Sequence, residues 1–196
     1  MATRNPHKTR ELQQILGAKF TVRDLHAHPE ISEIAETGTS FQENAKLKAL
    51  AVSTKLPGLV IADDSGLEVD ALGGAPGIYS ARYAGANATE RDKIDKLLRE
   101  LERVRAIDDR RRARFRCVVA LARNATLLGT FEGIVEGMIA NEVRGDFGFG
   151  YDPIFIPQGF EQTFGELPRE VKNTISHRAQ AIRTLADRLR GLEFGG

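Results

Sequence analysis

The segment GLVIADDSG, residues 58–66, sets a wholly apolar run directly before two adjacent carboxylates. A short apolar run bounded by a glycine and a polar cluster reads as a buried strand, and strands of that kind belong to sheets covered on both faces. The run then delivers Asp63 and Asp64 at its C-terminal end, where α/β sheets bind ligands. Neighbouring strand residues point to opposite faces. If the strand persists, the two carboxylates cannot both face one cleft: one faces the site and the other anchors backbone. The competing reading is an Asx turn closed by Ser65 and Gly66.

Outward from this strand, helical and strand patterns are separated by clear punctuation. On the N-terminal side, Asn5 can cap a helix with Pro6 at its first position, and Leu12, Ile15 and Leu16 recur on one face before Gly17. A second helix covers residues 40–55, opened by a Ser40–Glu43 capping box. On the C-terminal side, a third helix begins near Thr89 with a Thr-x-x-Asp cap, and Ile94, Leu97, Leu98, Leu101 and Val104 share a face. ARFRCVVALAR (113–123) and LLGTFEGIVEG (127–137) read as strands joined at Asn124-Ala125. The glycine-rich GDFGFGYD (145–152) precedes a short strand, PIFIP, and a last helix follows Ser176 with Ala179, Ile182, Leu185, Ala186 and Leu189 inward. Alternation first and hairpins later predict an α/β fold with a mixed central sheet flanked by helices.

At 196 residues and 41% hydrophobic, the chain can bury one good core or two small lobes. Its 28 basic and 27 acidic residues leave a formal charge of +1, which speaks against generic binding to nucleic acid or to membrane surfaces. The one basic run, DDRRRARFR (108–116), reads as a solvated connection between a helix and a strand. A single cysteine excludes an internal disulfide and fits a reducing compartment, and the alternation around Cys117 makes it a buried thiol. With no membrane-length apolar run and no signal-peptide h-region, a soluble cytoplasmic protein is expected.

Two helix starts carry the wrong charge. His7, Lys8 and Arg10 open the first helix, and His177 and Arg178 open the last. A helix N-terminus already presents bare N–H groups and a partial positive charge, so bases there are repelled unless they bend into water or meet an anion. Two such N-termini with Lys8, His177 and Arg178 between them would make a polyphosphate site. A dense anion travels with Mg²⁺, and Asp64, Glu36 and Glu43 are candidate oxygen ligands, although Glu43 also suits its own helix cap. The chain contains no G-x-x-x-x-G-K-[ST] loop, no dinucleotide fingerprint, no zinc spacing and no nucleophile elbow. Metal-assisted attack of water on a phosphate fits better than covalent catalysis.

These residues also carry a resemblance. The segments ATRNPHKTREL (2–12), ETGTSFQENAKLKA (36–49), IADDSGLEVDALGGAPGIYSARYAG (61–85), FGFGYDPIF (147–155), TFGEL (163–167) and ISHRAQA (175–181) stand in order along nearly the whole chain. Together they resemble the inosine/xanthosine triphosphate pyrophosphatase family. The resemblance implies an ITPase-like (Maf-related) fold, with residues 1–196 as a single domain of two lobes and an active-site cleft between them. It implies Mg²⁺-dependent hydrolysis of ITP, dITP or XTP to the monophosphate and pyrophosphate, by a cytoplasmic homodimer engaging neither nucleic acid nor membrane.

Carried over by position, Thr3, Arg4, Asn5, Pro6, His7 and Lys8 would form the phosphate-binding loop. Asp64 would be general base or metal ligand, Ser65 would touch substrate, Glu36 would help hold the metal, and Lys48 would reach the phosphates. Phe149, Gly150, Tyr151 and Asp152 would line the base pocket with Lys172, His177 and Arg178. The family pattern places a hydrophobic strand before the A-T-x-N segment, whereas here Met1 stands at that point, which predicts a shortened strand and a loss of burial. Ala35 stands where some members have a second acid beside Glu36. Two rival readings are a Maf-like pyrophosphatase acting on pyrimidine or modified nucleotides, and a nucleotide sensor without turnover; the joint presence of Asp64, Glu36 and Lys8 speaks against the sensor.

Overall fold

In the computed structural model, which describes residues 1–193, the apolar run 58–62 opens strand β1, Val60–Val69. The strand does not stop at the carboxylates. Leu67 and Val69 continue the apolar alternation beyond Gly66 and are fully buried, and the Leu67 amide donates to the Ser80 hydroxyl at 2.9 Å. Extended backbone through Asp63 and Asp64 therefore replaces the Asx turn. Along the outer edge of β1, the Ala2 amide donates to the Ile61 carbonyl at 2.7 Å.

Strands β2 (Arg112–Arg123) and β3 (Thr126–Ile139) form the expected hairpin. Its two turn residues, Asn124 and Ala125, have φ of 50° and 59°, the left-handed pair that matches the twist of the flanking strands. Strand β4 (Phe155–Pro157) pairs antiparallel with β3, Ile139 opposite Phe155 and Gly137 opposite Pro157. The four strands lie in chain order, β1-β2-β3-β4.

The helices follow their sequence signals closely. Helix α1 spans Pro6–Leu16, with the Asn5 side chain accepting from the His7 amide, and α2 spans Phe41–Ser53 behind Ser40. Helix α3, Glu90–Arg103, has a complete capping box in which Thr89 and Asp92 satisfy each other's backbone amides. Helices α4 (Arg169–Ile175) and α5 (His177–Glu193) close the chain.

The chain divides into two compact units. One comprises Met1–Asp64, Cys117–Gly133 and the chain from His177. Its core sets Cys117, Val119 and Leu121 of β2 against Ala181, Leu185 and Leu189 of α5. Burial pushes the Cys117 thiol up to about 12, which keeps it protonated and inert. The other unit comprises Ser65–Arg116 and Ile134–Ser176. There Leu67 and Val69 pack with Ile94, Leu97 and Leu101 of α3 and with an aromatic group, in which the Phe115 and Phe155 rings are 4.6 Å apart and those of Phe155 and Phe164 5.4 Å apart.

The basic run 108–116 is solvated as expected at Asp108, Asp109, Arg110 and Arg112, but not at Arg111. Arg111 is buried and donates to the carbonyls of Ile139 at 2.7 Å, Ala140 at 2.6 Å and Ala106 at 3.3 Å. Arg114 sits among Asp70, Glu136 and Glu68. Local charge density could not reveal this, because all of these acceptors except the nearby Ala106 carbonyl lie far along the chain, at Glu68 and Asp70 and at Glu136, Ile139 and Ala140.

Helix α5 approaches β3 at a glycine. A Cβ on Gly133 would lie 2.0 Å from the His177 carbonyl oxygen and 2.7 Å from the Ala181 amide nitrogen, whereas one on Gly191 would meet nothing within 4 Å. Gly133→Ala should lower unfolding free energy by about 1–3 kcal/mol, while Gly191→Ala, in an open helical position, should raise it by up to about 1 kcal/mol. Urea midpoints of the two variants check this; a Gly133→Ala midpoint equal to wild type would contradict the close approach.

Candidate active site

Because β1 stays extended, its pleat sends Asp63 and Asp64 to different partners. Asp63 is met by Lys8 of α1, whose ammonium is 3.0 Å from each carboxylate oxygen. Arg178, from the first turn of α5, donates to Asp63 Oδ2 through Nε at 3.3 Å and Nη2 at 3.2 Å. Its Nη1 donates to Glu11 of α1 at 2.5 Å. Burial alone would raise the Asp63 carboxyl, but Lys8, Arg178 and Lys48 outweigh it and hold it far below the ordinary aspartate range. Arg178 is buried as well, and the charges of Glu11 and Asp63 outweigh its desolvation to raise it above the ordinary arginine value.

The two helix starts thus meet an anion supplied by the chain itself. Lys8 and Arg178 converge on one internal carboxylate. The other cations of the first segment have separate duties. Arg4 donates to the carbonyls of Leu25 at 2.8 Å and Ile31 at 2.6 Å. Asn5 is the cap of α1, the Thr3 hydroxyl accepts from the Asn5 amide at 3.1 Å, and Pro6 and His7 are exposed on the first turn.

Asp64 faces helix α2. Asn44 Nδ2 donates to its Oδ2 at 3.1 Å, and Lys48 Nζ donates to its Oδ1 at 3.2 Å. The same ammonium donates to Glu36 Oε1 at 2.7 Å, so Glu36 and Asp64 share one cation. Burial raises the Asp64 carboxyl above its ordinary value, opposed by Lys48 and reinforced by the negative charge of Glu36. Burial pulls the Lys48 ammonium down, yet the charges of Asp64, Asp63 and Glu36 outweigh it and leave the ammonium above the ordinary lysine value. Glu43 is used elsewhere: its carboxylate accepts from the Thr39 amide at 2.7 Å and the Thr39 hydroxyl at 2.9 Å. Of the candidate metal ligands, Glu36 and Asp64 therefore stand together and Glu43 closes its own helix start. Ser65 is the next residue on β1 and is half-buried.

A second group lies in the other unit. Asp152 is buried, accepts from the Phe149 amide at 2.8 Å and receives the Lys172 ammonium at 2.6 Å. The Phe149 ring lies 4.8 Å from that ammonium. Gly148 and Gly150 both have positive φ, and a Cβ on Gly148 would lie 2.0 Å from the Asp152 carboxylate. Glycine is required there for the loop to fold back on its own aspartate. Tyr151 is buried, and its hydroxyl donates to the Ser80 carbonyl at 3.0 Å. Asp152 and Tyr151 thus shape the loop, in which Phe149 and Gly150 are half-buried. Of the other residues expected around a base, Lys172 belongs to this unit, and His177 and Arg178 to the unit containing Asp63.

Two functional residues escaped the sequence reading. Asn44 is completely buried, and its Oδ1 accepts from the Gly38 amide at 2.8 Å while its amide holds Asp64. Its signal was present: Asn44 and Lys48 stand one turn apart on a helix whose other buried positions are apolar apart from Ser53 near its end. Glu11 lies on α1 with no local pattern pointing to Arg178.

The two carboxylates of β1 therefore differ in chemistry. Asp63 is a fixed anion that neutralises two cations. Asp64, with its raised affinity for protons, is the one suited to accept a proton from water. Among the described residues no group of three or more His, Cys, Asp or Glu side chains comes together to hold a metal. A cation at Glu36 and Asp64 would complete its shell with water and phosphate oxygens, the usual arrangement for Mg²⁺.

The depressed carboxyl of Asp63 makes stability pH-dependent. Its folded value lies below its unfolded one, so its contribution is complete above about pH 4 and is lost as pH falls below that. Asp63→Asn should cost about 3–5 kcal/mol at neutral pH by stranding buried cations, and should flatten the acid side of the stability profile. Denaturant unfolding between pH 7 and 3 measures both; parallel profiles for variant and wild type would contradict the assignment.

The Ham1 family matches residues 1–188. The dITP/XTP pyrophosphatase of Bacillus subtilis strain 168 is 47% identical over 187 residues, covering 95% of this chain and 93% of its own. That of Listeria monocytogenes serovar 1/2a is 50% identical over 187 residues, with 94% and 91% covered. Among solved structures, a HAM1 protein from Coxiella burnetii superposes with a TM-score of 0.86 at 40% identity, covering 96% of each chain. The Staphylococcus aureus Ham1 protein gives 0.85 at 41% identity, covering 97% of each.

Proposed function

This chain belongs to the Ham1 family, and from that premise we propose that Asp64, Glu36 and Lys48 form the catalytic group of a nucleoside-triphosphate pyrophosphatase. The enzyme hydrolyses non-standard purine nucleoside triphosphates, dITP and XTP with ITP, to the monophosphate and pyrophosphate, and so removes them from the nucleotide pool. The observation that carries the catalytic assignment is the sharing of Lys48 by Glu36 and Asp64, with Asn44 fixing the second oxygen of Asp64.

In this reading Asp64 takes a proton from the water that severs the α–β anhydride bond. Glu36 and Asp64 would hold a divalent cation, assigned as Mg²⁺ because a small carboxylate set completed by phosphate oxygens suits that ion. When bound, the cation neutralises phosphate charge and stabilises the departing pyrophosphate. Lys48, Lys8 and the segment of residues 3–8 receive the phosphates, and Ser65 contacts the substrate beside Asp64. Phe149 stacks on the base over Gly150, with Tyr151 and Asp152 shaping the loop. Lys172, His177 and Arg178 supply donors that favour a carbonyl at C6 of the purine over adenine's amino group, since an unmatched buried donor costs about 1–3 kcal/mol. A single domain over residues 1–196, acting as a cytoplasmic homodimer away from nucleic acid and membranes, completes the proposal. The formal charge of +1 supports the exclusion of nucleic acid.

Incubation with XTP, dITP, ITP and the four standard triphosphates, followed by quantification of pyrophosphate, tests the function. Turnover should be Mg²⁺-dependent and fastest with the non-standard purines. Asp64→Asn should lower kcat at least about 100-fold, the lower range for loss of a general base, while nucleotide binding persists. A variant retaining more than about a tenth of wild-type kcat, less than ~1.4 kcal/mol in the barrier, would remove Asp64 from the mechanism.

A further inference from the structure

Asn44 and Lys48 project from one face of α2, one turn apart, and between them engage both oxygens of Asp64. Lys48 extends the arrangement to Glu36. Two residues beyond Glu36, the Gly38 amide is held by Asn44. The segment bearing Glu36 is thus tied to α2 by both residues, and the Lys48 ammonium lies between two carboxylates in largely buried surroundings, its side chain 12% exposed against 8% for Asp64 and 25% for Glu36.

That position is the one the metal needs. A magnesium ion holds carboxylate oxygens at about 2.0–2.1 Å, so an ion ligated by both Glu36 and Asp64 sits where the ammonium now bridges them. Two cations cannot share it. Nor do further carboxylates favour the metal, because no third acidic, histidine or cysteine side chain joins the pair among the described residues. The lysine has an alternative: a compact charge on a flexible four-carbon stem can turn to any dense anion within reach. A triphosphate supplies such oxygens.

We propose that Lys48 is a resident counter-cation, which keeps the place between Glu36 and Asp64 closed to free divalent metal and yields it only when a triphosphate offers its ammonium new acceptors. The inference rests on Glu36 and Asp64 being the metal ligands. Metal and nucleotide then load together, and free metal alone does not fill the site. Asn44, which is neutral and bonds the other oxygen of Asp64, keeps that carboxylate aimed during the exchange.

Binding of free Mn²⁺ by the whole chain, followed by electron paramagnetic resonance without nucleotide, tests this directly. Lys48→Met and Lys48→Gln each remove the ammonium, and each should bind Mn²⁺ at least about tenfold more tightly than wild type, the low end of what one close charge does to an ionic equilibrium. Lys48→Arg keeps the charge and should bind as weakly as wild type. Adding Asp64→Asn to Lys48→Met should cancel the gain. Unchanged Mn²⁺ affinity in both Lys48→Met and Lys48→Gln would overturn the exchange, and if Asp64→Asn alone still abolished turnover the proposed active site would stand. A gain that survived Asp64→Asn would place the metal elsewhere and overturn both.

Discussion

The pleat of strand β1 is the constraint on which the site depends. Two carboxylates adjacent in sequence must leave an extended backbone in opposite directions. Asp63 goes to Lys8 and Arg178, and Asp64 goes to Asn44 and Lys48. Had the strand ended in a turn after Ala62, both side chains could have crowded one place and repelled each other. The extension to Val69, sustained by buried Leu67 and Val69, separates them.

That separation divides labour between a structural charge and a chemical one. Asp63 compensates cations at the openings of two helices, where helix dipoles disfavour them. Removal from water makes each of these ions costly alone, and their mutual contacts offset the cost. Asp64 is surrounded less generously. It has one neutral donor and one ammonium that it shares with Glu36, and burial leaves it with a raised proton affinity. A group of that kind can exchange protons, while one held like Asp63 stays ionised. The excess of basic residues at the helix starts, which in sequence points to a bound polyphosphate, is thus balanced first within the protein. Lys48 stands in the same relation to its two carboxylates.

Much of the fold is legible because local rules are obeyed almost everywhere. Asn5-Pro6, Ser40 and Thr89 mark helix starts that form as their chemistry dictates. Asn124-Ala125 turns the hairpin in the left-handed region, although alanine is an uncommon choice there. The segments that misled are those whose partners are distant in sequence. Arg111 looks solvated until the carbonyls of Ile139 and Ala140 reach it. Glu11 carries no local signal of its role, which is set by Arg178, far along the chain. In the site, Glu36, Lys48 and Asp64 could be named from the sequence and are joined in space. Asn44 was missed because a buried amide has no charge to draw notice, and Asp152, though named, has a duty toward the Phe149 amide that follows from a loop conformation only glycines permit.

The roles of the two neighbouring carboxylates rest on their different environments, and the most direct measurement is a titration of their side-chain carbons by NMR in protein carrying ¹³C-labelled aspartate. The Asp63 carboxyl should remain ionised as pH is lowered well past about 3.9, the ordinary aspartate value, while that of Asp64 should take its proton above it. Coincident titration of the two, or protonation of Asp63 before Asp64, would contradict the division of roles between them.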